Sequence, residues 1–268
     1  LFPDHEEALD YCLQFRKPQK TLCVTMLEDR PLRLYIDIDL SDKSHPHLRK
    51  LSTRDEILEA ICRLLERFVS ERWPGYRDCP ERPWMVVILT AHIHDKDSFH
   101  LHVLNHYWSS REGLNWFMRA FRTELTAWNQ QGDADVRKVY YYSEDSESGK
   151  VEREWAIDWS VYSLHRNFRM AYHAKPGKGN HLIPSSKDWK NGAMTPAPNR
   201  SERDCLAISM PHHGEVRGRI CPRVEDGWER RREKTQCRRR RSPSGAPSCA
   251  LSVVPLDPIC VTDLQDLM

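Results

Sequence analysis

The sequence predicts an α+β fold in which helices and strands are mixed along the chain. Three observations carry this. The stretch Arg33-Leu-Tyr-Ile-Asp-Ile-Asp-Leu40 alternates: Leu34, Ile36, Ile38 and Leu40 share one parity, and Tyr35, Asp37, Asp39 and Ser41 share the other. That is the period of a strand buried on one face. Trp84–His92 (WMVVILTAH) is an almost continuous apolar run, as expected of a strand central in its sheet. Residues 53–72 and 111–129 each carry one apolar stripe at helical spacing, so both read as helices packed on a core.

The elements follow in order. Residues 4–15 form a short helix with Ala8, Leu9, Cys12 and Leu13 inward, and Thr21–Leu27 reads as a strand. Glu28–Pro31 then turns into the alternating strand. Ser41–His47 is a polar loop in which His45 and His47 read as solvated rather than as metal ligands. Thr53-Arg-Asp-Glu56 is a capping box. The helix behind it buries Ile57, Leu58, Ile61, Leu64, Leu65, Phe68 and Val69, and Trp73-Pro-Gly75 stops it. The run at 84–92 connects through His94-Asp-Lys-Asp97 to a strand at Phe99–Leu104, a hairpin. The helix over Arg111–Asn129 turns Leu114, Phe117, Met118, Phe121, Leu125 and Trp128 to the core. Strands are expected at Val139–Tyr142 and Trp155–Tyr162, with an acidic turn at Ser143–Lys150 between them, and the Arg166–Met170 alternation reads as a strand with its arginines on one face. Residues 1–195 are thus the expected folded core. Residues 196–268, rich in Pro, Ser and Arg and carrying the run Arg238–Arg241, are expected to be a largely disordered tail with at most a charged helix at Glu225–Gln236.

Composition narrows the function. The formal net charge is only +2, so binding to an anionic polymer must rely on local patches. No apolar run reaches membrane-spanning length, and no membrane partner is expected. No secretory signal opens the chain, which starts at Leu1 rather than Met, the expectation for a fragment. Nine cysteines without a C-x-x-C pair read as reduced thiols inside a cell. Cys205, His212, Cys221 and Cys237 match no standard finger spacing, so zinc in the tail is only a minor expectation.

Three constellations carry chemistry. Asp37 and Asp39 lie roughly 7 Å apart along one strand face. Adjacent carboxylates repel unless a cation sits between them, and hard oxygen ligands suit magnesium or manganese; a solvated strand end is the bland alternative. Lys96, Ser98 and His100 recur at every second residue, so their side chains share a face able to donate to phosphate oxygens. Asp158 precedes Arg166, Arg169, Lys175 and Lys178, with Gly177 and Gly179 among them, which reads as an anion cradle beside a metal ligand. Together they are the equipment for two-metal nucleotidyl transfer.

The sequence resembles the archaeo-eukaryotic primase superfamily, and within it the PrimPol and herpesvirus-primase-like branch. The resemblance rests on Asp37-Ile-Asp39, on Ser98-Phe-His100 with Lys96 before it, and on Ile157-Asp158 followed by Val-Tyr, Arg166-Asn-Phe-Arg169 and Lys175-Pro-Gly-Lys178. It covers roughly Leu1 to Pro184. It implies a catalytic core with an RRM-like sheet carrying all three motifs and an α/β module from the N-terminus and the middle of the chain. It implies metals held by Asp37, Asp39 and Asp158, and nucleotide phosphates held by Lys96, Ser98, His100, Arg166, Arg169, Lys175 and Lys178. The implied activity is primer synthesis and extension on a single-stranded DNA template with dNTPs or NTPs, in repriming or lesion tolerance. Single-strand-binding proteins are implied partners, and the nucleus, the mitochondrion or a virus-infected cell is the implied setting. Many relatives carry a Cys-His-Cys-Cys zinc module for priming, and the tail here lacks a clear closing pair, so extension is implied more directly than initiation. Two rivals stand beside this reading. His100-Leu-His102 is a His-hydrophobic-His pattern of rolling-circle nicking enzymes, with a nucleophile sought among Tyr140–Tyr142. A catalytically inactive module that binds single strands through basic and aromatic side chains is the other.

Overall fold

The computed structural model describes residues 5–16, 20–25, 31–72, 84–108, 110–145, 149–163, 166–211 and 219–220. The expected stop at Trp73–Gly75, most of the turn at Glu28–Pro31, the charged helix at Glu225–Gln236, the run Arg238–Arg241 and the tail residues His212, Cys221 and Cys237 lie outside them. The chain is mixed α and β, as the periodicities predict. It runs α1 (His5–Leu13), β1 (Cys23–Thr25), β2 (Leu32–Ser41), α2 (Pro46–Leu51), α3 (Arg54–Arg72), β3 (Met85–Thr90) and β4 (Lys96–Trp108). It continues through α4 (Arg111–Gln130), α5 (Val136–Val139), β5 (Tyr140–Glu144), β6 (Val151–Trp155), a 3-10 turn at Trp159–Tyr162 and β7 (Asn167–Arg169). It ends with β8 (Ile183–Pro184), β9 (Lys187–Lys190), β10 (Ala193–Pro196), α6 (Glu202–Ser209) and β11 (Arg219–Ile220).

The long strand β4 organises the main sheet. It pairs antiparallel with β3 on one side and β2 on the other, and β11 joins its far end in parallel. β9 and β10 extend the sheet beyond β3. Leu34, Ile36, Ile38 and Leu40 are buried with Phe99, Leu101, Val103, Val86 and Ile88 in the main core, together with the stripes of α3 and α4. The strand is not buried on one face alone, because Arg33 and Tyr35 on the opposite parity are buried too, Tyr35 packed on Tyr162 and Phe168. The capping box starting α3 is formed, with Thr53 N–H donating to Glu56 Oε2 at 2.8 Å and Glu56 N–H to Thr53 Oγ at 3.3 Å. Ser110 caps α4 by accepting from Gly113 N–H at 3.1 Å.

Two expectations are corrected here. The strand expected at Trp155–Tyr162 ends at Trp155; Ile157 keeps one bridge to Ile38, and Asp158 caps the 3-10 turn with Ser160 N–H donating to its Oδ1 at 2.8 Å. The alternating apolar residues beyond Trp155 imitate a strand, but the capping carboxylate bends the backbone away. The tail expected from residue 196 begins later. Ser201 and Asp204 form a capping box for α6, which buries Cys205 and Leu206, and Pro211 C=O accepts from Arg33 N–H at 2.8 Å. The described residues, α6 among them, accordingly fall within one compact unit. Among the described residues no helix is long and apolar enough to cross a membrane.

Candidate active site

Strand pairing assembles the site. Opposite β2, β4 places His100 against Asp37, Ser98 against Asp39 and Lys96 against Ser41. Directly opposed residues project from the same face, so two motifs about sixty residues apart become one surface. The third arrives after β6. Asp39 N–H donates to Ala156 C=O at 3.3 Å, Ile157 bridges Ile38, and Asp158 N–H donates to Asp37 C=O at 2.8 Å. Tyr162 O–H, buried, donates to Tyr35 C=O at 2.8 Å and ties the 3-10 turn to the same strand. Asp37, Asp39 and Asp158 thereby present carboxylate oxygens that lie within 4.8 Å of one another.

Asp37, the most enclosed of the three, resists ionisation. Burial first, then the charges of Asp39 and Asp158, push the Asp37 carboxyl up to about 7, against the opposing pull of Lys175 and Arg169. Its Oδ1 is buried without a hydrogen-bond partner; the His100 Nε2 lies 3.5 Å away. Lys96 Nζ meets Asp39 Oδ2 at 2.7 Å. His100 is held neutral, its pKa pushed well below the ordinary value by burial, then by Arg169, His102 and Lys175. The ring stacks on Phe168 with centroids 4.2 Å apart. Arg169 is buried and donates from Nη1 to Asn180 C=O at 3.1 Å, its pKa lowered by burial against the pull of Asp37 and Asp39. A site with an unsatisfied carboxylate oxygen, three hard donors and excess negative charge fits a divalent ion such as magnesium or manganese.

The structure thus brings together Asp37, Asp39, Asp158, Lys96, Ser98, His100 and Arg169. Lys175 is exposed on the following loop, close enough for its charge to act on Asp37 and His100. Arg166 and Lys178 are not brought in. Arg166 is exposed and donates from Nε to Ser163 Oγ at 2.9 Å; Lys178 is exposed in a turn where Gly177 adopts φ 72°. The arginines do not share a face, because three residues of extended chain reverse the side-chain direction.

Neither loop histidine joins the acids. His47 Nδ1 contacts Glu154 Oε1 at 2.5 Å and its ring stacks on Tyr141 at 4.1 Å, so it is held in place while its side chain stays 38% exposed, as expected of a solvated loop histidine. His45 Nδ1 accepts from Ser41 N–H at 3.2 Å. Cys205, expected as a marginal zinc ligand, is instead buried in an apolar cluster with Val87 and Leu89, where burial pushes its thiol up. Among the described residues, the acids are the one group of three or more metal-ligating side chains gathered closely enough to hold an ion, and it includes neither His100 nor His102.

Sequence reading misses one feature. A cavity of about 470 Å³ opens beside Asp39 and Asp158, walled by Trp155, Trp159 and Arg122. These come from α4, β6 and the 3-10 turn, and no linear spacing links them. Compared with known proteins, the chain matches no family model and no curated protein.

Proposed function

We propose that the chain is a metal-dependent nucleotidyltransferase that extends a primer strand on a single-stranded template, with an archaeo-eukaryotic-primase type of core. The observation that carries this reading is the convergence of Asp37, Asp39 and Asp158, with ligand oxygens within 4.8 Å, beside the buried cation Arg169. Magnesium or manganese held by those carboxylates would stabilise negative charge on the attacking and leaving oxygens.

The chain's own residues do the rest. Arg169 and Lys175 bind the phosphates of a dNTP or NTP, and Arg169's rigid fork favours bidentate contact. His100, neutral and wedged between Asp37 and Phe168, offers a hydrogen bond without adding charge. Ser98, opposite Asp39, adds a hydroxyl donor. Lys96 offsets the Asp39 charge. Phosphoryl chemistry asks mainly for such positioning and electrostatics.

The test is primer extension by the purified protein with a primed DNA template, four nucleotides and manganese or magnesium. Extension by the wild type that disappears in Asp37→Ala supports the reading. A wild type that extends no primer with either ion overturns it.

A further inference from the structure

The cavity beside the acids has its own chemistry. Asp39 and Asp158 line it, whereas Asp37, Arg169 and Lys175 do not. Nucleotidyl transfer joins two substrates at one set of carboxylates, and the cations that suit a triphosphate lie by Asp37. The cavity's own cations are already engaged, Lys96 with Asp39 at 2.7 Å and Arg122 over the Trp155 and Trp159 rings.

The cavity's lining is mostly polar, with Ser41, Ser44 and Ser160 beside the acids, and its aromatic surface is the pair Trp155 and Trp159. Trp155 and Trp159 meet edge to face, centroids 5.4 Å apart and planes at 89°. Arg122 lies over both rings, 5.2 Å and 5.4 Å from their centres. Trp155 is backed by Tyr140, stacked at 3.8 Å and 16°, so the wall is pre-positioned. Trp159 Nε1–H is buried without a hydrogen-bond partner. The volume, about 470 Å³, falls in the range of roughly 300–1,000 Å³ found for small-ligand sites. Tryptophan rings and arginine guanidinium planes are surfaces on which bases stack without regard to sequence.

We propose that this cavity receives the 3′-terminal nucleotide of the strand being extended, its base beside Trp155, Trp159 and Arg122 and its 3′-hydroxyl toward Asp39 and Asp158. The inference rests on the nucleotidyltransferase reading and adds to it the seat of the second substrate. The hydroxyl oxygen forms a bond to the α-phosphorus of the nucleotide held on the Arg169 side. The α–β phosphoanhydride bond breaks, pyrophosphate leaves with the electron pair, and the hydroxyl proton passes to solvent.

Arg122 is exposed on α4, so Arg122→Ala does not put folding at issue. Steady-state extension is measured for wild type and Arg122→Ala, varying primed template and nucleotide separately. The expected result is a KM for primed template raised about tenfold, as for loss of part of a base-stacking site, with the nucleotide KM within twofold. In a parallel binding assay, 2-aminopurine placed at the primer 3′ end is expected to be quenched by the wild type, and less by the variant. A wild type that extends no primer overturns the polymerase reading and this assignment with it. Extension by the wild type with the variant's loss falling on the nucleotide, or with no loss, overturns this assignment alone, as does equal quenching by both proteins.

Discussion

Asp158 is joined to Asp37 through the main chain: its N–H donates to the Asp37 carbonyl at 2.8 Å. The carboxylate is therefore placed by backbone pairing and by the cap on Ser160 N–H, and not by its charge. Asp158→Asn keeps the capping oxygen and removes one of the charges that repel Asp37. Metal-free Asp158→Asn is expected to be at least as stable as the wild type. Manganese at a hundredfold excess over Kd should raise the wild-type Tm by roughly 5–10 °C, from about 2.7 kcal/mol of linkage in a domain this size, and should leave Asp158→Asn nearly unmoved. A full manganese shift in the variant, read by thermal denaturation, would remove Asp158 from the metal site.

The basic residues divide by burial. Arg169 is buried beside the acids, whereas Arg166 faces solvent. Arg169→Ala loses a charge-assisted donor, roughly 1.5–3 kcal/mol, and the nucleotide KM should rise about tenfold or more. Arg166→Ala should change it by less than about threefold, in line with the small effect of an exposed charge. Equal losses in the two variants would place the phosphates elsewhere.

Truncation tests where the fold ends. Removing everything after Lys190 deletes the buried Cys205, Leu206 and Met210, and with them the Ile208 carbonyl that accepts from Arg33 Nη1 at 2.6 Å. Burying such side chains contributes about 1.5–3 kcal/mol each for the larger ones, so their joint loss rivals a typical domain stability of about 5–15 kcal/mol. That truncation is expected to be insoluble or to lack a cooperative melt. A chain ending at Ile220 is expected to melt cooperatively, measured by circular dichroism. A well-folded 1–190 fragment would show that α6 is an accessory.

The contrast between motifs and tail shows what was legible. The side-chain parity of β2 and β4 could be read from alternation, and with it the faces of Asp37, Asp39, Ser98 and His100. Which residues stand opposite each other could not, because register depends on the bulge between Arg33 and Tyr35. α6 carried a readable start signal, Ser201-x-x-Asp204, that the surrounding Pro and Arg content masked. The Trp155–Trp159–Arg122 wall had no linear signal, since a helix face and a hairpin end meet only in three dimensions.

His102 separates the polymerase reading from a nicking enzyme. It lies opposite Tyr35 on β2 and Val87 on β3, fully buried, and neither ring nitrogen has a hydrogen-bond partner. Its ring meets Phe168 edge to face, centroids 5.6 Å apart. Burial, then the Arg33 charge, lowers its pKa to about 3. Because the folded value lies below the unfolded one of about 6.5, the unfolded chain binds the extra proton. The stability tied to His102 is therefore fully present above pH 6.5 and is lost as pH falls from 6.5 toward 3. His102→Leu removes that dependence and replaces an unsatisfied buried polar group with an apolar one, a change expected to be neutral or stabilising by about 1 kcal/mol at pH 7.5. Urea melts between pH 4.5 and 8 should show a shallower acid loss in the variant. Extension should stay within about threefold of wild type, while His100→Leu, which removes the imidazole 3.5 Å from Asp37, should be crippled. A nicking enzyme would use both histidines on one metal, and losing either would be equally damaging. Equal loss of activity in both variants, together with a covalent tyrosyl–DNA adduct in the wild type, would reverse the assignment.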